Sequence, residues 1–120
     1  MQDYKSLKVW QKAHQIVINI YKITKLFPKE ELFCLVSQIR RAAISIPANI
    51  AEGAGRGSRI DFNRFLQISF RSISELEYEL MLSNELGYIN KDSYKKIEAS
   101  IEEVKKMLSG LIKSIKKTIN

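Results

Sequence analysis

The sequence predicts an all-α fold, an antiparallel up-down four-helix bundle, and three observations carry that expectation. Its 120 residues include only two prolines and five glycines, too few turn residues for the many short strands of a sandwich or barrel. The strongest breaks are Phe27-Pro28, the run from Glu52 to Ser58, and Leu86 to Asn90, which cut the chain into four segments of helical length joined by short links. Within each segment the apolar residues fall on one side when placed at about 100° per residue. The length suits a single domain over residues 1–120, with helices expected at 6–26, 29–52, 59–86 and 91–118.

In the first segment Trp10, Ala13, Val17, Ile20, Tyr21 and Thr24 share a face, opposite Lys8, Lys12, Gln15, Asn19 and Lys22. Pro28 suits the first turn of the second helix, where its missing N–H costs nothing, and Glu30 and Glu31 complement the positive helix end. The second stripe reads Leu32, Leu35, Val36, Ile39, Ala43, Ile46 and Ile50. Pro47 interrupts it, and a kink is expected between Ala43 and Pro47 because the ring clashes with the carbonyl four residues back while the stripe continues in phase.

Ser58 and Asp61 approximate a capping box that starts the third helix. Its stripe of Phe62, Phe65, Leu66, Ser69, Ile73, Leu76 and Leu80 runs toward Gly87, placed to end the helix in the left-handed conformation. Asn90 or Asp92 caps the fourth helix. There Tyr94, Ile97, Ile101, Val104, Leu108, Leu111 and Ile115 alternate three and four apart, a heptad seam with Gly110 as its weak point. No internal repeat or low-complexity tract interrupts the pattern.

The chemistry-bearing residues are sparse, and no catalytic residue, metal site or cofactor is expected. His14 is the only histidine and Cys34 the only cysteine, so a triad, a di-iron bundle site and a closed zinc site all lack members. Both residues read as ordinary, His14 bordering the apolar face and Cys34 on the outer side of its helix. Glu75 with Glu79, and Glu98 with Glu102, have helical spacing that is common on a solvated face. The glycine-rich link from Gly53 to Ser58 has neither the spacing of a phosphate loop nor a preceding strand. It reads as a helix–helix turn, with Arg56 and Arg59 beside a helix N-terminus as an alternative anion site. One cysteine, no secretory pattern in the first residues and no run of about 18 apolar residues make the cytoplasm the expected compartment.

The formal net charge is +7, which points to polyanionic partners. It is uneven: residues 1–28 and 89–120 each come to +4, residues 29–52 to 0 and residues 53–88 to −1. Lys5, Lys8, Lys12, Lys113, Lys116 and Lys117, with Arg56 and Arg59, are therefore the candidate nucleic-acid contacts; plain solubility charge is the competing reading of the lysines. All six arginines lie between Arg40 and Arg71, where there is no lysine, a segregation that favours fixed bidentate bonding. Arg41, Ser45, Asn49 and Glu52 line up opposite the second stripe, and Arg64 and Arg71 lie outward on the third helix among large aliphatics. These six residues are the expected oligomer interface.

Leu7-Lys-Val-Trp10 with Ala13, Ile20-Tyr21, Thr24 to Pro28, and then Gln38-Ile-Arg-Arg-Ala-Ala-Ile-Ser-Ile-Pro-Ala-Asn-Ile-Ala-Glu-Gly-Ala-Gly-Arg56 form a recognisable series. Phe62, Arg64-Phe-Leu66, Ser72, Glu75-Leu-Glu77 and Leu86-Gly-Tyr-Ile89 continue it. Together they resemble the four-helix-bundle proteins encoded in intervening sequences of bacterial 23S ribosomal RNA genes, over nearly the whole chain; the last helix matches by pattern more than by residue. The resemblance implies an up-down bundle assembled into a homopentameric ring. The family also looks related to the accessory variability protein of diversity-generating retroelements, a basic pentamer that binds a reverse transcriptase and nucleic acid. The expected function is a non-enzymatic, basic oligomer that binds RNA or DNA electrostatically as an accessory factor. The alternative is a structural or protein-binding oligomer without a nucleic-acid role.

Overall fold

The computed structural model describes residues 3–119. Four helices, α1 (Lys8–Thr24), α2 (Leu35–Ala54), α3 (Arg59–Glu85) and α4 (Lys91–Ile119), form a four-helix bundle, and no strand occurs among the described residues. Two single 3-10 turns, Tyr4–Ser6 and Lys29–Glu31, precede α1 and α2. Each helix packs beside its neighbours in the chain, and α1 closes the ring on α4. The contacts run in opposite order along neighbouring helices: Lys12 meets Glu103, Arg40 meets Thr24, Ser45 meets Ser72, Lys105 meets Glu77 and Arg59 meets Thr118.

The local signals for α3 and α4 act as their residue types require. Ser58 accepts a hydrogen bond from the Asp61 N–H at 3.1 Å, occupying one of the helix's otherwise unpartnered donors. Gly87 has φ of +81°, a conformation in which a Cβ would be strained. Asn90 accepts from the Ser93 N–H at 2.8 Å and caps α4. The seam of α4 buries Ile97, Ile101, Val104, Leu108 and Ile115, while Tyr94 and Leu111 flank it half-buried. Each fully buried aliphatic side chain contributes about 1.5–3 kcal/mol by leaving water.

The first two helices differ in register and extent from expectation. The buried line of α1 is Val9, Ala13, Ile16, Ile20 and Thr24, one position round from the expected face. Trp10 and Tyr21 sit at its edges because their rings find polar or aromatic partners there. Trp10 stacks on His14 at 5.0 Å, and Tyr21 carries the Arg40 guanidinium 4.4 Å from its ring centroid. The α-helical part of α2 begins at Leu35 rather than near residue 29, because Cys34 takes φ −119° and ψ −98° and breaks the path from the preceding 3-10 turn. Leu32 is consequently exposed rather than part of the stripe.

Pro47 lies inside α2, buried, with helix on both sides. It cannot donate to the Ala43 carbonyl. Side chains donate to two carbonyls beside it: Asn49 to Ser45 O at 2.8 Å and Ser69 to Ile46 O at 2.8 Å. The α2–α3 contact is correspondingly close, with Gly53 set directly against Phe62 and Phe65.

Candidate nucleic-acid interface

Bundle topology turns a charge pattern scattered along the chain into a polarised molecule. The start of α1, the α2–α3 link and the end of α4 meet at one end of a body 47 Å long. Cutting the helices near their midpoints puts residues 3–15, 45–71 and 106–119 in that half. It carries eleven Lys and Arg against three acids, net +8, and the remaining half has nine against ten, net −1. Two of the three acids there are already paired, Glu52 with Arg56 at 3.1 Å and Asp61 with Arg64 at 3.3 Å. The third, Asp3, accepts from the Lys5 backbone N–H. Opposing charge is thus largely used up locally, and the excess cations set the potential.

All eight expected contact residues fall in this half, in two groups. Lys5 in the first 3-10 turn and Lys8 and Lys12 of α1 stand exposed; Lys5 lies 6.0 Å from the Tyr4 ring, which meets Trp10 edge to face at 5.0 Å. Lys12 reaches Glu103 of α4 at 3.3 Å and is the one of these lysines held by an acid. On the other side Lys113, Lys116 and Lys117 stand exposed on the last turns of α4. Arg59 approaches them by donating from Nε to Thr118 at 2.6 Å. Arg56 lies over the Phe65 ring at 5.0 Å while paired with Glu52, which fixes its guanidinium at the link.

The expected interface residues divide. Ser45 and Asn49 do not lie on an outer face; they point into the α2–α3 seam, where Ser45 Oγ lies 2.8 Å from Ser72 Oγ and Asn49 donates to Ser45 Oγ at 2.9 Å. Small polar side chains let the two helices approach closely, and the half-buried hydroxyls and amide satisfy one another. Glu52 and Arg64 are exposed but held in local pairs, Arg41 is exposed, and Arg71 lines a groove between α3 and α4. The segregated arginines mostly have fixed partners inside the chain. Arg40, not among the expected site residues, clamps α1 to α2 through Thr24 Oγ1 at 3.0 Å and the Tyr21 face.

Glu79 departs furthest from expectation. Helical spacing placed it with Glu75 on a solvated face, yet it is 5% exposed within α3. Burial, then a hydrogen bond and repulsion from Glu75, push its carboxyl up to about 8. Its neighbours in the buried line, Ser69, Leu76 and Ser83, were the available signal: a stripe already containing small polar residues admits one more polar member. At the far end the Tyr88 hydroxyl donates to Glu31 at 3.0 Å, and that bond raises its proton affinity. Cys34 is exposed and free, and His14 is exposed. Among the described residues no three His, Cys, Asp or Glu side chains are grouped to hold a metal ion, and no helix is long and apolar enough to cross a membrane.

No curated protein matches the chain. Among solved structures it is similar to a protein of unknown function from the S23 ribosomal protein family of Bacteroides thetaiotaomicron VPI-5482. The two are 33% identical, the likeness covers 88% of this chain and 98% of that one, and the TM-score is 0.81. The family model for the 23S rRNA-intervening sequence protein matches residues 5–110, which include the link, Arg56, Arg59 and the α1 lysines but stop short of Lys113. With a family match over most of its length and a related bundle of the same shape, this chain belongs to the 23S rRNA-intervening sequence protein family.

Proposed function

We propose that the protein is a non-enzymatic accessory factor of the cytoplasm that assembles into a homo-oligomer, a pentamer by family resemblance, and binds RNA or DNA through the phosphate backbone. The observation that carries this reading is the charge polarity of the bundle, +8 in one half against −1 in the other. A ring of such subunits would repeat the basic end several times, and linked weak contacts give avidity that no single bundle has. The contacts are with phosphates, so sequence preference is weak.

Replacing Lys5, Lys8 and Lys117 by Glu is expected to weaken binding of a labelled RNA by about a hundredfold or more at 0.1 M salt, since each lost contact removes counterion release. Filter retention of the variant equal to wild type would refute the assignment. Protein purified at low salt should carry nucleic acid that high salt strips from an intact oligomer, read by absorbance ratio and light scattering.

A protein-partner reading has its own support. At the opposite end Leu26, Leu32, Phe33 and Leu86 are exposed, Phe33 to 89% and Leu26 to 80%. On the sides, Arg41 and Ile44 of α2 and Ile60 and Tyr78 of α3 offer an exposed mixed surface for self-association. Arg41→Glu is expected to lower the oligomer mass in sedimentation; an unchanged mass would remove Arg41 from the interface. A clean oligomer with no nucleic acid at either salt would favour the protein-partner reading.

A further inference from the structure

Along α3, Gln67 and Arg71 are four residues apart. Along α4, Ser109, Lys113 and Lys116 are spaced four and three apart, so each set lies on one side of its helix. The two sides face one another across a groove of about 300 Å³ in the basic half of the bundle. Phe70 and Ile112 are half-buried against the core and form its apolar floor. Arg71, Lys113 and Lys116 are exposed at its rim, and Gln67 and Ser109 add neutral hydrogen-bonding groups. No acid lines the groove, and none of the three cations is held in a salt bridge among the described residues. This distinguishes them from Lys12, Arg56, Arg64 and Lys105, each of which has a carboxylate partner.

Three cations around an apolar floor, with no internal counter-charge, form a receptor for a multiply bonded anion. The guanidinium supplies a planar fork for two phosphate oxygens, and the two ammonium groups supply point charges from the facing helix. The floor lowers the local dielectric and strengthens those bonds compared with an open surface. From Ser109 to Lys116 the helix rises about 10 Å, against a rise of about 3.4 Å per nucleotide in a strand, so the groove fits a short run of backbone rather than one ion. We infer that the α3–α4 groove seats consecutive phosphodiesters of a nucleic-acid strand, with Arg71 as the fork that fixes their register. This rests on the nucleic-acid reading above and makes one groove, rather than the whole basic end, its principal contact. Lys113 and Lys116 lie beyond the residues that the family model matches, so the groove is argued from this chain's own geometry.

The test titrates the full-length protein with a fluorescein-labelled single-stranded RNA 20-mer from 50 to 300 mM salt. Replacing Arg71, Lys113 and Lys116 by Gln should flatten the log–log salt slope by about 2 and weaken binding about a hundredfold at 0.1 M. The same charge loss elsewhere on the basic end, with Lys5, Lys8 and Lys117 replaced by Gln, should flatten the slope by less than half as much. Arg71→Lys should weaken binding several-fold at unchanged slope, because charge is kept and the fork is lost. Melting curves confirm that each variant is folded. If the groove triple variant and the Lys5, Lys8 and Lys117 variant weaken binding alike, or Arg71→Lys binds as wild type, the groove is overturned and the general reading survives. Wild-type protein that binds no RNA at 50 mM salt overturns both. Displacement of the strand by micromolar inorganic pyrophosphate would mark a site for small free phosphates and overturn the strand assignment.

Discussion

Glu79→Gln should stabilise the protein by roughly 3 kcal/mol at pH 7 and by almost nothing near pH 4. The sign follows from the direction of the shift. The folded state raises the Glu79 carboxyl from 4.5 to about 8, chiefly through burial and then through Glu75. Between those values the folded chain holds a proton that the unfolded chain releases. The stability is therefore fully present below about pH 4.5 and falls by about 1.4 kcal/mol per unit as pH rises toward 8, above which both states are ionised. One buried Glu79 oxygen has no hydrogen-bond partner, so a negative charge on it would go unsatisfied. Glutamine keeps the shape, donates to Glu75 and never ionises. Urea melts from pH 4 to pH 9 should show a falling stability for wild type that the variant lacks; parallel curves would mean that Glu79 ionises freely and is not desolvated.

That residue also shows where sequence pattern stops being informative. Features that depend on a few adjacent residues were readable: the Ser58 and Asn90 caps, the Gly87 turn and the heptad seam of α4. Features that depend on how near two helices come were not. A helical wheel separates apolar from polar, so it put Ser45, Asn49 and Glu79 outside. Inside the close α2–α3 contact, Ser45, Asn49 and Ser69 are accommodated by bonding one another or a backbone carbonyl, whereas buried Glu79 keeps its proton instead. The start of α2 was misplaced for a different reason. Pro28 with Glu30 and Glu31 is a good helix opening, but it produces a single 3-10 turn over Lys29–Glu31, and the α-helix starts only after Cys34.

The candidate site was half legible in the same sense. The sequence displayed a surplus of lysine toward both ends of the chain and arginine in the middle. It could not display that residues 3–15, 45–71 and 106–119 share one end of the bundle, since that juxtaposition exists only once the helices pack. Arg71 illustrates the consequence. On the wheel it was an outward residue suited to a subunit interface, whereas in three dimensions it faces Lys113 and Lys116 across the groove.

Gly53→Leu is expected to cost about 3 kcal/mol and lower the melting temperature by roughly 10 °C. Gly53 lies in the last turn of α2, where propensity alone would favour almost any other residue by up to about 1 kcal/mol. Packing decides against it. A Cβ there would lie 2.8 Å from Phe65 Cβ, 3.0 Å from the Phe62 ring and 3.3 Å from the Phe62 carbonyl oxygen. The nearest of these atoms is the stem of a side chain and the last is backbone, so neither yields without moving the start of α3. Alanine should already be destabilising by about 1 kcal/mol once its helical gain is set against the crowding. Gly110 supplies the control, because a Cβ added in that turn of α4 meets nothing within 4 Å. Gly110→Ala should therefore stabilise by up to about 1 kcal/mol through propensity alone. Calorimetry showing opposite signs for the two alanine variants would establish that close α2–α3 packing, rather than flexibility of the link, is what demands glycine at position 53. Equal stabilisation by both would mean that α3 can shift to admit a side chain and that the seam is looser than its hydrogen bonds imply.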